Sequence, residues 1–143
     1  MTHESLQSAM NSDFAAVAAT INSYNGNPIV VSVQYDNQAS VTPNKIPWVR
    51  FMVKLATANQ KSIGSVASRR FRKTGICMIQ IFVPLGEGSG LADYIAGKIE
   101  NAYTGVTKSG GIVFQTPLIY EGKRSDGWWQ VNVNLPFYSD RLA

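Results

Sequence analysis

Apolar residues recur along the first part of the chain at helical spacing. Leu6, Met10, Phe14, Val17, Ile21 and Tyr24 follow one another at steps of three and four, which places them on one stripe of a helix. Ala15, Ala16, Ala18 and Ala19 favour that helix intrinsically. Gly26 supplies a left-handed stop, and Pro28 prevents continuation. Such a stripe needs a sheet to cover it, and strand patterns follow. Ile29, Val31, Val33 and Tyr35 share one face of a strand, after which 36–45 reads as a loop of turn formers. Val49, Phe51, Val53 and Leu55 then alternate with Trp48, Arg50, Met52 and Lys54, a core face against a mixed one. Residues 58–68 form the polar tip of a long hairpin whose returning strand runs from Arg70 to Pro84.

That returning strand breaks the simple alternation. From Ile76 to Val83 it is apolar on both faces apart from Gln80, the pattern of a strand covered on both sides. The chain's own helices supply one cover, and a neighbouring subunit is a candidate for the other. Gly86–Gly90 breaks the strand and opens a second helix, with Leu91, Ile95, Ile99 and Tyr103 on its stripe and Gly105 at its end. Residues 107–111 read as a loop, Ile112–Glu121 as a strand and Gly122–Gly127 as a turn. In the last strand Trp129, Val131, Val133, Leu135 and Phe137 point inward while Gln130, Asn132 and Asn134 point out, and Pro136 marks an edge or a strand end. The order α-β-β-β-α-β-β predicts one α+β domain over 1–143: a largely antiparallel or mixed sheet of about five strands, both helices on one face. The other face stays open.

Composition sharpens this picture. Hydrophobic residues make up 45% of the chain and charged residues 15%, against about 25% charged in ordinary soluble domains. The deficit of charge therefore lies on the surface, which is either polar or covered by partners. A net charge of +4 is modest for a nucleic-acid binder. The lone Cys77 excludes an intramolecular disulfide and fits a reducing compartment. Neither a signal-peptide pattern nor an apolar run of membrane-spanning length is present, so the chain is expected to fold in a cytoplasm, away from membranes.

Chemistry is scarce. His3, ahead of the first helix, is the one histidine, which excludes a triad or a metal site built from histidines. Cys77 shares the inward side with Ile79 and Ile81 and reads as a small buried hydrophobe, not a nucleophile. Gly86–Gly90 sits where phosphate-binding loops sit, but Leu91-Ala92 follows where a nucleotide loop needs Lys-Ser or Lys-Thr. Glu87, Asp93, Glu100, Glu121, Asp126 and Asp140 make no close pair, and Asp13 reads as a polar-face residue of the first helix. A non-enzymatic protein with no cofactor and no metal is expected.

The candidate site is instead a surface. Trp48, Arg50, Met52, Ile76, Met78, Phe82 and Trp128 face the open side of the predicted sheet, an apolar patch large enough to require a partner. Beside them runs Arg69-Arg70-Phe71-Arg72-Lys73, with Arg69, Phe71 and Lys73 on one side of the strand and Arg70 and Arg72 on the other. Three uses stay open for this run. It suits a solvated edge that discourages strand pairing, a seam against an acidic partner, or a phosphate contact with Phe71 stacked on a base.

The whole layout resembles phage tail terminator proteins, the minor tail proteins that cap siphophage tail tubes. The resemblance rests on the strand Gly75–Pro84, the turn Gly86–Gly90, the helix Leu91–Tyr103, the Pro47-Trp48-Val49-Arg50-Phe51 strand and the closing Asp126-Gly127-Trp128-Trp129 strand that leads into Leu135-Pro136-Phe137. It implies a homo-oligomeric ring, usually six-fold, at the head-proximal end of the tail. Its partners would be further copies of itself, the major tail tube protein and head-completion or neck proteins, with DNA only as cargo in the bore. Another neck component and a small basic nucleic-acid-binding domain are the alternatives. The family brings no catalytic residues to transfer.

Overall fold

A computed structural model describes residues 3–35, 46–60, 70–86, 90–108, 111–125 and 127–142. In chain order the elements are α1 (His3–Ala19), β1 (Ser23–Tyr24), β2 (Asn27–Pro28), β3 (Ser32–Tyr35), β4 (Trp48–Gln60), β5 (Arg70–Pro84), α2 (Gly90–Tyr103), β6 (Thr107–Lys108), β7 (Ile112–Phe114), β8 (Leu118–Ile119), β9 (Lys123–Ser125) and β10 (Trp128–Leu142). The main sheet runs in the order β3-β4-β5-β10-β7-β6, and β8 and β9 also pair with β10. Among the described residues only β3–β4 is parallel; the other pairs are antiparallel. The fold is α+β with a mostly antiparallel, mixed sheet.

Both helices lie on one face. Phe14 of α1 stacks on Phe51 of β4 with centroids 4.5 Å apart, and Met10 Sδ meets the Cys77 thiol of β5 at 3.6 Å. From α2, Tyr103 stands edge-on to Phe114 at 4.8 Å. Odd-numbered residues of β5 and β10, from Cys77 to Val83 and from Val131 to Phe137, are fully buried beneath Leu6, Ile95 and Ile99 in one continuous core. Period 2 in the strands and period 3.6 in the helices thus meet at one apolar layer. The α2 stripe is as predicted, with Gly105 closing the helix at φ +62°.

Several local expectations change. Helix α1 starts at His3, which puts the histidine in its first turn, and it stops at Ala19. Tyr24 is therefore off the stripe. Asn25 (φ +51°) and Gly26 (φ +78°) form the two-residue turn of the β1–β2 hairpin, since Asn-Gly fits the doubly left-handed turn that tight hairpins need. Leu55 is 39% exposed. It stands at a bulge where pairing jumps from Leu55–Gly75 to Thr57–Thr74, and the bend carries it out of the core. The stretch from Ile112 to Glu121 is two short strands, β7 and β8, interrupted at Pro117. Residues 107–108, placed in a loop by the sequence, pair as β6 with β7.

Pro136 is not at an edge. It lies mid-way along β10, opposite Ile76 of β5, and its carbonyl accepts from Gln115 N at 2.9 Å. The ring nitrogen points to the same side as that carbonyl, where β7 has just ended and no ladder donor is required. Along that side the register advances by one residue at each break, from Phe137–Phe114 to Val133–Ile119 to Trp129–Arg124. Two such offsets are bulges that curl the sheet.

Gly75 faces Phe137 across the ladder, where a Cβ would strike the Lys54 carbonyl and come within 2.8 Å of Phe137 Cζ. Gly97, inside α2, has open space around it. We expect Gly75→Ala to lower unfolding free energy by about 1–3 kcal/mol, as overpacking does. Gly97→Ala should raise it by up to about 1 kcal/mol through helix propensity. Urea unfolding of the two variants checks both signs.

Candidate interaction surface

Strand register builds the open face. Even-numbered residues of β4, β5 and β10 stand opposite one another in rows: Trp48–Phe82–Gln130, Arg50–Gln80–Asn132, Met52–Met78–Asn134 and Lys54–Ile76–Pro136. No helix packs there among the described residues. Beyond the bulge the rows continue with Thr74 beside Tyr138 and Arg72 beside Asp140. Trp48 stacks on Phe82 at 4.2 Å with 12° between the rings, and Trp128 meets Trp48 edge-on at 6.2 Å. Such pairs add about 0.5–1.5 kcal/mol beyond area burial. The side chains shelter one another: Met52 and Gln130 are buried, Trp48, Met78, Phe82 and Trp128 half-buried, and Ile76 and Arg50 exposed. Gln130 Nε2 donates to Asn132 Oδ1 at 2.7 Å, fixing two amides of adjacent rows.

Perturbed titratable groups sit on the opposite, helix-covered side. Burial first, and then Asp13, push the Cys77 thiol well above its ordinary range, so it stays protonated. Tyr103 Oη donates to Asp13 Oδ2 at 2.7 Å, and Lys108 Nζ lies 3.5 Å from Asp13 Oδ1. Asp13 therefore ties α1 to α2 and β6; it is more than a solvated polar-face residue. The adjacent cavity of about 10 Å³ holds one water at most. Among the described residues no group of three or more His, Cys, Asp or Glu could hold a metal ion, and no helix is long and apolar enough to cross a membrane.

The surface is thus a sheet face, not a substrate pocket, and it sits on a fold that a known family shares. The sequence model of the phage tail terminator protein family matches residues 7–137, from α1 through the core of β10. The chain belongs to the phage tail terminator family. The fold of this chain also appears in a solved structure that is 17% identical, matches over 100% of this chain and 98% of its own, and superposes with a TM-score of 0.69. Among curated protein sequences nothing matches. Terminators are structural proteins of the phage tail.

Within this terminator, Trp48, Arg50, Met52, Arg72, Ile76, Met78, Phe82 and Trp128 share the open face, and Arg70 has the same register. Phe71 and Lys73 occupy the opposite register, and Arg69 lies outside the described residues. The basic run is not an edge: residues 71–73 are paired to β4 on one side and β10 on the other, and Arg70 is paired to β10. Arg72 lies over the Tyr138 ring at 4.1 Å, a partner the sequence reading missed although the alternation of β10 places Tyr138 on that face. Also missed were two exposed apolar groups. Val30 (68% exposed) and Ile46 line an open groove of about 360 Å³ at the β3–β4 side, with Leu85 exposed one residue past its Pro84, while Leu118 and Ile119 of β8 and Tyr120 after them are exposed across the sheet.

Burial and the Asp13 hydrogen bond hold the Tyr103 hydroxyl far above its ordinary value of 10. Its neutral form is the one the fold prefers, so this contribution is complete below pH 10 and is lost as the unfolded chain's tyrosine ionises above it. Tyr103 should contribute about 1.4 kcal/mol per pH unit to the fall in stability there, beside the contributions of the buried Cys77 and Tyr35, and Tyr103→Phe should reduce the slope by that share. Urea midpoints between about pH 9 and about pH 11 measure it.

Proposed function

We propose that this terminator is a non-enzymatic, single-domain virion protein that assembles into a six-membered ring on the last ring of the tail tube. There it ends tube polymerisation and presents a surface to head-completion proteins, while DNA passes through the bore as cargo. It would be assembled in the host cytoplasm and reside at the head-proximal end of the tail.

The observation that carries the ring is the pair of unlike apolar patches on opposite edges of one sheet. Val30 and Ile46 line the groove on the β3–β4 side, and Leu118, Ile119 and Tyr120 lie beyond β10. Strands stand about 4.8 Å apart, so β4 and β8 are separated by roughly 15 Å of sheet. A ring of identical subunits joined head to tail uses two different patches on each subunit and closes when the rotation per contact closes. Exposed apolar side chains in groups, and not singly, are the usual mark of such contacts.

Light scattering after size exclusion should give the wild type a ring mass, alone or on purified tail tubes. L118D/I119D, at residues 51% and 42% exposed, should elute as a monomer with an unchanged thermal midpoint. A wild type that stays monomeric in both settings contradicts the ring.

A further inference from the structure

Charge is divided unevenly along the chain. Between Asp36 and Glu87 there is no carboxylate, yet eight of the thirteen Lys and Arg residues fall there. All nine carboxylates lie outside that stretch, with only five cations. Its described part is the β4–β5 pair, and strand register puts four of the five described cations on one side, with Lys73 on the other. Arg50, Lys54, Arg70 and Arg72 all take the even register of the open face, and Arg50 and Lys54 are exposed. Opposite this basic end lies the Trp48–Phe82–Trp128 cluster. Asp140, opposite Arg72, is the one carboxylate in that register among the described residues of β4, β5 and β10, so the face combines an apolar anchor with a net cationic flank.

The side chains point to the kind of partner. Aromatic residues, Met and Arg are enriched in the buried centres of protein interfaces, where Asp and Glu are depleted. Nucleic acid fits less well, because single strands need aromatic rings open to stacking bases. Here Trp48 is stacked on Phe82, and Tyr138 is covered by the Arg72 guanidinium. A second copy of the chain fits less well too. The described carboxylates are dispersed over separate elements, and Asp13 is engaged by Tyr103 and Lys108, so no acidic cluster answers the basic one.

We infer that the open face docks an acidic protein other than this chain, one that brings an apolar side chain onto the Trp48–Phe82 cluster and carboxylates onto the exposed Arg50–Lys54 end. The inference rests on the terminator reading only for where that protein is sought, namely the tail tube or the neck. Complementary charge at such a seam chiefly sets the association rate and its salt dependence.

The test uses R50E/K54E, with Lys54→Glu alone as a second variant in case the double variant melts early. The baits are purified headless tail tubes and purified tailless heads of the same phage. Wild type should sediment with one of them and lose affinity as salt rises from about 50 to about 300 mM. R50E/K54E should keep the wild-type oligomeric mass and lose bait binding by about tenfold or more. A duplex of about 30 base pairs should bind neither protein at the lower salt. Four results overturn the inference: variant and wild type binding the bait equally, salt-independent bait binding, loss of self-association in the variant, or duplex binding that the variant abolishes. Failure of the ring reading looks different, because it appears in the mass of the wild type alone.

Discussion

Strand β5 is hydrogen-bonded on both sides along nearly all its length, to β4 as far as Gln60 and to β10 as far as Leu142. Every other feature depends on that constraint. A strand paired on both edges can vary only through its two faces, and its odd residues Cys77, Ile79, Ile81 and Val83 are spent on the helix-covered core. The even residues Ile76, Met78 and Phe82 are then committed to the opposite face, whatever their polarity. They remain half-buried or exposed, and among the described residues only neighbouring side chains of the sheet shelter them. A strand that is apolar on both faces but helix-covered on one leaves hydrophobic surface for another molecule to remove from water.

The rest of the architecture supports that exposed face. Asp13 and Tyr103 bind the two helices together on the far side, while Phe14 and Phe51 lock α1 to the sheet. On the flank of β10 the strand is paired in three short pieces, each offset by a bulge. Those offsets curl the sheet and leave Leu118, Ile119 and Tyr120 outward on a short edge. A long apolar edge would invite uncontrolled strand pairing, whereas a short, curled one suits a bounded contact. Edges for sister subunits and a face for other proteins of the tail are compatible with one terminator ring.

Periodicity made much of this legible. Strand β5 runs from Arg70 to Pro84 as the alternation predicts, and the stripes of Leu6–Met10–Phe14 and Ile95–Ile99–Tyr103 pack where a helix period places them. Long, regular segments are legible because each side chain repeats the same message. Single-residue events are not. Asn25-Gly26 looks like a helix stop until the hairpin is seen, and Leu55 looks like core until the bulge rotates it out. Pro136 argued for an edge because the break beside it at Gln115–Pro117, which removes the need for its donor, depends on long-range pairing. Charge is legible too: the compact Arg69–Lys73 run lies inside a wider carboxylate-free stretch from 37 to 86. The face-sharing of Trp48, Met52, Met78 and Phe82 followed from phase alone, while Tyr138 emerged only once the register joined β10 to β5.

The central claim is that the open sheet face is covered in the assembled tail. Hydroxyl-radical footprinting of Met78 and Trp128, quantified by mass spectrometry, compares the isolated protein with intact virions. The account predicts clear oxidation of both residues in the isolated chain and strong protection in virions, with the buried Phe51 and Phe137 unreactive in both. Equal oxidation of Met78 and Trp128 in the two states would contradict it.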